Sequence, residues 1–164
     1  MPTIRSASPQ DADAIAAIYN QGIEDRIATF ETECRSADDI HAWFEADRPC
    51  VAVEDDGMVL AFASLSPYRQ RDCYSGIGEF SVYVERSARG KGLGRLAMEG
   101  LIEEARKRGY WKLLSRIFPE NTASLSLCWA LGFRNVGTYR MHGKLDGIWR
   151  DTVIVELLLS NDFD

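Results

Sequence analysis

Apolar side chains recur with helical spacing in two stretches near the N-terminus. The first stretch runs to about residue 22 and would place its apolar residues on one helix face: Ala12, Ile15, Ala16, Ile18 and Tyr19. Ser8 and Pro9 precede it, and serine as cap with proline in the first turn is typical of a helix start. The second helix is predicted over residues 37–46 with Ser36 as its cap, and residues 3–5 form a short first strand.

Two later regions have the pattern of β-hairpins. Residues 50–54 and 58–65 flank Asp55-Asp56-Gly57, a turn suited to positive φ. Residues 133–144 and 149–158 flank a second such turn about Asp146-Gly147. The chain therefore contains antiparallel strand pairs near both ends.

A strand–helix–strand unit lies between the hairpins. It comprises a strand over residues 77–84, a long helix over residues 94–108 and a strand over residues 112–117, and a short helix from residue 121 to 130 follows. This order predicts an α+β fold, with a mixed, mostly antiparallel sheet and helices on both faces. We expect one domain over residues 1–164.

Composition narrows the range of partners. The 164 residues are 46% hydrophobic and carry a formal net charge of −6, which argues against sequence-independent binding of nucleic acid because that needs a basic face. No stretch reaches the length of a membrane span and the first residues lack an apolar signal region, so we expect a cytoplasmic protein without a membrane partner. No metal is expected, since no Cys-x-x-Cys pair occurs among the four cysteines: Cys34, Cys50, Cys73 and Cys128.

A glycine-rich turn joins the central strand to the long helix: Arg89-Gly90-Lys91-Gly92-Leu93-Gly94-Arg95. Backbone N–H groups and the positive end of the helix dipole converge there, so the turn predicts an anion site. A P-loop would need glycine where Glu85 stands and serine or threonine where Gly92 stands. A dinucleotide fingerprint would need glycine in place of Arg95. Both alternatives fail on spacing.

The spacing Arg89-x-x-Gly92-x-Gly94 resembles the pyrophosphate loop of the GCN5-related N-acetyltransferases. A second segment of that family, from Asn121-Thr122-Ala123-Ser124 to Leu131-Gly132-Phe133, also matches, in the same order along the chain. The resemblance implies the acetyltransferase fold and acetyl-CoA as co-substrate. It further implies that amides from Arg89 to Arg95 bind pyrophosphate and that the pantetheine arm is held by five residues: Val82, Tyr83, Val84, Asn121 and Ser124.

Two residues are candidates for the chemistry. Glu79 is the one acid of the 77–84 strand and would lie near the thioester as general base, although an exposed or structural ion-paired position is the alternative. Cys128 stands where many members of the family carry tyrosine, so a thiol of ordinary pKa could protonate the leaving thiolate. Water as the proton donor and Cys128 as a buried core residue stay open.

Several stretches are similar to phosphinothricin and arsinothricin N-acetyltransferases, which acetylate the α-amine of toxic glutamate analogues. Among them are the segments at residues 28–33, 66–71, 115–121 and 142–147. The resemblance implies direct transfer to a small amino acid of the phosphinothricin, arsinothricin or methionine sulfoximine type, and a homodimer. The residues predicted to bind the acceptor are Phe30, Arg69, Arg71 and Tyr83, where paired guanidinium groups would suit a diacid.

Two alternatives are left open by the residues themselves. The acceptor could be another amine, such as a peptide N-terminus or a polyamine, because binding pockets on one fold vary by loop substitution. The chain could also bind acyl-CoA without turnover, if Glu79 and Cys128 were structural.

Overall fold

The computed structural model describes residues 1–160. Seven strands form one sheet in the order β1-β2-β3-β4-β5-β7-β6. The strands are β1 (Thr3–Ser6), β2 (Cys50–Asp55), β3 (Met58–Pro67), β4 (Ile77–Val84), β5 (Lys112–Ile117), β6 (Arg134–Leu145) and β7 (Ile148–Leu158). The α-helices are α1 (Ala12–Asp25), α2 (Ala37–Glu45), α3 (Leu93–Lys107) and α4 (Thr122–Ala130). Among these helices, none combines the length and apolarity that crossing a bilayer requires.

The helices cover both faces of the sheet, which confirms the predicted α+β class. Alternation along β3 separates two cores, since Phe62 points to one face while Ala61 and Ala63 point to the other. Phe62 packs with the apolar residues of α1 and α2. Ala61 and Ala63 pack with those of α3 and with Cys128 of α4.

Both predicted hairpin turns have the backbone that their sequences indicate. Asp56 and Gly57 have φ of 51° and 77°, and Asp146 and Gly147 have φ of 50° and 78°. Two successive positive φ values match the twist of the flanking strands and bring them into antiparallel register. Helix α1 runs three residues beyond the predicted end at residue 22, because Arg26 supplies the left-handed cap at φ 57°.

The strand pair β4 and β5 forms the one parallel ladder of the described sheet, and it is short. The register joins Ile77 to Lys112 and Glu79 to Leu114, and no pairing continues beyond these positions. By contrast, β4 pairs with β3 from Gly78 to Val84. The Ser115 hydroxyl donates to the Phe80 carbonyl at 3.0 Å, at the point where the two strands diverge. Residues 81–84 of β4 therefore present backbone groups on the β5 side that have no strand partner.

Candidate active site

The glycine-rich turn folds as an anion cradle at the start of α3. Gly90 and Gly92 have φ of 79° and 81°, values that residues with a Cβ avoid. The first helical bond runs from the Leu96 N–H to the Gly92 carbonyl at 3.2 Å. The preceding N–H groups of the first turn thus lack intrahelical acceptors and point out of the helix end.

The arginine that opens the turn is tied to the neighbouring elements. The Arg89 guanidinium lies 2.7 Å from the Asp25 carboxylate, and its Nε donates to the Val84 carbonyl at 3.2 Å. Although burial acts in the opposite direction, hydrogen bonds from Arg89 and Arg86 lower the pKa of Asp25. Asp25 therefore stays charged and fixes the start of the loop against α1 and β4.

A groove of about 430 Å³ runs from this turn between β4 and α4. A Cβ at Gly94 would lie 3.5 Å from Val84 and 3.6 Å from Leu127, inside the groove. The Asn121 side chain caps α4 by accepting from the Ser124 N–H at 3.3 Å. The structure brings most of the predicted cofactor residues into this lining: Val82, Tyr83, Val84, Arg89, Gly90, Gly92, Leu93, Gly94, Arg95, Asn121 and Ser124. Lys91 is exposed on the same turn.

A second cavity of about 320 Å³ lies farther along β4, against residues 79–83. It contains Glu79 and Phe30 of the predicted acceptor and catalytic residues. The two cavities share five lining residues and so meet beside the free edge of β4: Ala28, Val82, Tyr83, Asn121 and Ser124.

Glu79 is held by an arginine that the sequence did not single out. Arg116 of β5 donates from Nε to one carboxylate oxygen at 2.8 Å and from an Nη to the other at 3.2 Å. The side chain of Glu79 is 20% exposed and that of Arg116 is 51% exposed. Both residues line the second cavity, so the ion pair lies within the site rather than behind it.

Tyr83 and Phe30 form walls of the second cavity and also pack against other rings. Tyr83 stacks on Phe62 with ring centroids 5.5 Å apart, and burial raises its pKa. A Cβ at Gly22 would lie 2.5 Å from the Tyr83 ring, so α1 holds that ring in place. Phe30 meets Phe118 edge-on at 4.8 Å. The packing role and the lining role therefore coexist in both residues.

Cys128 does not reach either cavity. It is 2% exposed and belongs to the core between α3, α4 and the sheet. Burial raises the pKa of its thiol to about 12, well above the ordinary value of about 8.5. Its burial supports the alternative of a core residue, while the role of Cys128 as general acid stays a prediction.

Arg69 and Arg71 lie away from the two cavities. Both are exposed on the loop after β3, and the Arg69 guanidinium lies over the Tyr68 ring at 5.1 Å. Neither contributes to the linings that the structure describes. Nearby, His142 stacks on Tyr139 at 4.6 Å, and Asp146 pairs with Arg26 at 3.0 Å.

Arg116 and Thr152 are among the polar residues of the second cavity that sequence reasoning did not assign to the site. Arg116 interrupts the apolar run of β5, and a charge in an otherwise buried strand is the signal that could have found it. Thr152 of β7 is 1% exposed, and its hydroxyl has no hydrogen-bond partner among the described residues. Threonine is itself common in strands rich in β-branched residues, so the sequence of β7 gives no such signal for Thr152.

Comparison with known proteins identifies the class as that of acyl-group transferases. Residues 15–133 match the model of the Acetyltransferase (GNAT) family, and the chain belongs to that family. The sequence-based recognition of this superfamily and its phosphinothricin branch is confirmed.

Similar proteins share nearly the whole chain. The L-methionine sulfoximine/L-methionine sulfone acetyltransferase of Salmonella typhimurium is 34% identical over 96% of this chain and 95% of that protein. The phosphinothricin N-acetyltransferase of Alcaligenes faecalis is 33% identical over 96% of this chain and 83% of that one. A Salmonella typhimurium acetyltransferase solved with its cofactor acetyl-CoA superimposes with a TM-score of 0.95 at 33% identity, covering 100% of this chain and 97% of the other.

Proposed function

We propose that this enzyme transfers the acetyl group of acetyl-CoA to the α-amine of a small amino acid analogue of the phosphinothricin, arsinothricin or methionine sulfoximine type. The observation that carries the proposal is the meeting of two cavities beside the free edge of β4. One cavity leads to an anion cradle and the other contains a carboxylate. A donor in one cavity and an acceptor in the other can therefore approach each other at the residues that both cavities share.

The groove suits coenzyme A along its length. Its pyrophosphate would accept from the N–H groups of residues 89–95, which the helix dipole favours. Its pantetheine arm would pair with those backbone groups of residues 82–84 that have no strand partner, as an added strand does, with Asn121 and Ser124 on its far side. This placement brings the thioester to the lining residues that the two cavities share.

The chemistry is a direct transfer. Glu79 takes a proton from the acceptor ammonium, directly or through water, and the neutral amine attacks the thioester carbonyl. The C–N bond forms and the C–S bond breaks as the attacking nitrogen loses its second proton to water, and the thiolate leaves with a proton that water supplies. Water is the proposed donor of that proton because the Cys128 thiol is buried in the core.

The acceptor class is supported by the two relatives, whose names state that they acetylate methionine sulfoximine or phosphinothricin. The rings of Phe30 and Tyr83 would contact this acceptor from the lining of the second cavity. A role for Arg69 and Arg71 stays a prediction, since their loop would have to bring them to the acceptor from outside the cavity lining.

The test is release of free coenzyme A with a panel of amines. We expect release with L-phosphinothricin and L-methionine sulfoximine, and a loss of kcat in Glu79→Gln on the order of 100-fold or more, with KM for acetyl-CoA unchanged. Release only with peptide N-termini or polyamines would contradict the acceptor class while leaving the transferase chemistry intact.

The Glu79–Arg116 ion pair favours one alternative, a module that binds acyl-CoA without turnover. Such a module would bind acetyl-CoA in calorimetry and release no coenzyme A with any amine of the panel. Glu79→Gln would then change only stability.

We also propose that the chain forms a homodimer through the face of β6 and β7. These strands expose several large apolar side chains, and exposed apolar surface is typical of an interface: Val136 (45%), Tyr139 (53%), Met141 (59%), Ile148 (63%) and Trp149 (51%).

A further inference from the structure

Arg116 has hydrogen-bond donors to spare. A guanidinium carries five N–H donors in a planar fork, and only Nε and one Nη donate to Glu79. Half of the side chain is exposed, at the lining of the second cavity. The edge that Glu79 leaves free is therefore available to a second carboxylate.

Thr152 adds an independent observation on the same face. Its hydroxyl is buried and unpartnered among the described residues, yet the residue lines the same cavity. Leaving a buried polar group unpaired is costly, so this hydroxyl would gain a hydrogen bond from a ligand whose entry shifts the cavity lining enough to expose it. Arg116 lies opposite Ile154 in the register, which makes Thr152 its diagonal neighbour on that face, roughly 7–8 Å away.

The charged residues that line the second cavity determine where an anionic group of the acceptor can bind. Arg116 is the one cation among the described lining residues, while Glu31 and Glu79 are its acids. An anionic group of an acceptor can therefore pair only with Arg116. An amine two bonds away from that anion would then lie beside Glu79.

We propose that Arg116 and Thr152 bind the α-carboxylate of the acceptor and so place its α-amine against Glu79. This inference rests on the proposed function and specifies its acceptor: a free α-amino acid, whose amine and carboxylate are adjacent. Peptide N-termini carry an amide at that position and polyamines carry nothing, so both are discriminated against at this site. Arg116 is a substrate-binding residue in this scheme, and Glu79 is the base that it also orients.

The first experiment compares L-methionine sulfoximine with its α-carboxamide, which keeps the amine and side chain but lacks the charge. In the parent enzyme kcat/KM should favour the acid, and in Arg116→Ala this preference should fall by about 100-fold, the usual scale for truncating one partner of a charge pair. Taking the ratio between enzymes cancels the different basicity of the two amines. Arg116→Lys should restore part of the preference, since it keeps the charge but not the fork.

Arg134→Ala is the matched control. Like Arg116, Arg134 pairs with a glutamate on the neighbouring strand: its guanidinium lies 2.6 Å from the Glu156 carboxylate, and its side chain is 65% exposed. Unlike Arg116, it lines neither of the two described cavities. This variant should keep the parent preference for the acid.

Thr152→Val tests the second contact without depending on Arg116. Valine fills the same volume and removes an unpaired hydroxyl, so the melting temperature should stay the same or rise. We expect KM for L-methionine sulfoximine to rise about tenfold while KM for its carboxamide changes little. A purely structural threonine would give lower stability and no selective change in KM.

The outcomes separate the inference from the function on which it rests. If the parent enzyme acetylates L-methionine sulfoximine but Arg116→Ala keeps the preference for the acid, the inference is wrong and the proposed function stands. If the parent acetylates no amino acid of the panel, the acceptor class itself is wrong.

Discussion

At the scale of single residues, burial decides what a side chain can do. Cys128 and Cys50 are both buried, on opposite faces of the sheet, and burial raises the pKa of each thiol to about 12. Cys128 follows Asn121 by the spacing at which many family members carry tyrosine. Its position in the core nevertheless makes it an apolar packing residue.

Cys128→Ala should therefore lower the free energy of unfolding and leave kcat nearly unchanged. We expect a loss of about 1 kcal/mol in the free energy of unfolding and a kcat within about twofold of the parent, because the proposed proton donor is water. Urea unfolding and the coenzyme A release assay measure the two quantities. Cys50→Ala is the control and should behave alike, whereas a hundredfold loss of kcat in Cys128→Ala alone would restore its role as an acid.

The sequence predicted Glu79 but could not predict its partner. The acid stands out within one strand, so its face follows from alternation alone. Arg116 meets it only through the register of β4 with β5, and that register depends on contacts between segments more than 30 residues apart. The role of Arg69 and Arg71 stays a prediction for the same reason, since the positions of these two residues relative to the acceptor depend on tertiary packing.

At the scale of elements, the start of α3 shows how backbone shape makes a binding site. Gly92 has φ of 81° and Gly109, just after the other end of α3, has φ of 84°, and a Cβ at either would meet nothing within 4 Å. The two glycines thus carry the same conformational demand at opposite ends of the helix. Only Gly92 lines the groove.

Gly92→Ala and Gly109→Ala form a matched pair. Each should lower stability by about 1 kcal/mol, the cost of a left-handed conformation for a residue with a Cβ. Only Gly92→Ala should raise KM for acetyl-CoA, by about tenfold, because tilting the turn moves its N–H groups away from the anion. Thermal unfolding and initial rates at varied acetyl-CoA measure both effects, and equal KM values in the two variants would argue against an anion site at this turn.

Local signals explain why most elements were predictable. The two Asp-Gly turns and the serine caps act over a few residues, so the hairpins and helix starts follow from the sequence. The divergence of β4 from β5 does not, because it depends on the tertiary arrangement of segments that are far apart in the sequence. The joined cavities arise from that divergence and became visible only in three dimensions.

At the scale of the whole molecule, most of the exposed large apolar side chains of the described residues belong to β6 and β7. These side chains include Val136 and Ile148, while the other long strands are covered by helices. Met58, in the β2–β3 hairpin, is 62% exposed, nearly as much as Ile148, but its hairpin lies toward the other edge of the sheet, beside β1.

Sedimentation velocity should find twice the chain mass for the parent protein. Val136→Glu and Ile148→Glu should shift it toward the monomer, since burying an unpaired charge in an interface is unfavourable. Met58→Glu should leave the dimer unchanged. A parent protein that sediments as a monomer at all concentrations would rule out the proposed assembly.

The open edge of β4 has a consequence for how the protein lasts in the cell. When the pantetheine arm pairs with that edge, the donor supplies hydrogen bonds that the polypeptide does not make for itself, and it does so only in the native state. Saturation then adds about 2.7 kcal/mol to folding stability at a donor concentration one hundred times Kd. The lifetime of the protein against proteolysis would therefore follow the supply of coenzyme A, free or acetylated, since both forms carry the pantetheine arm.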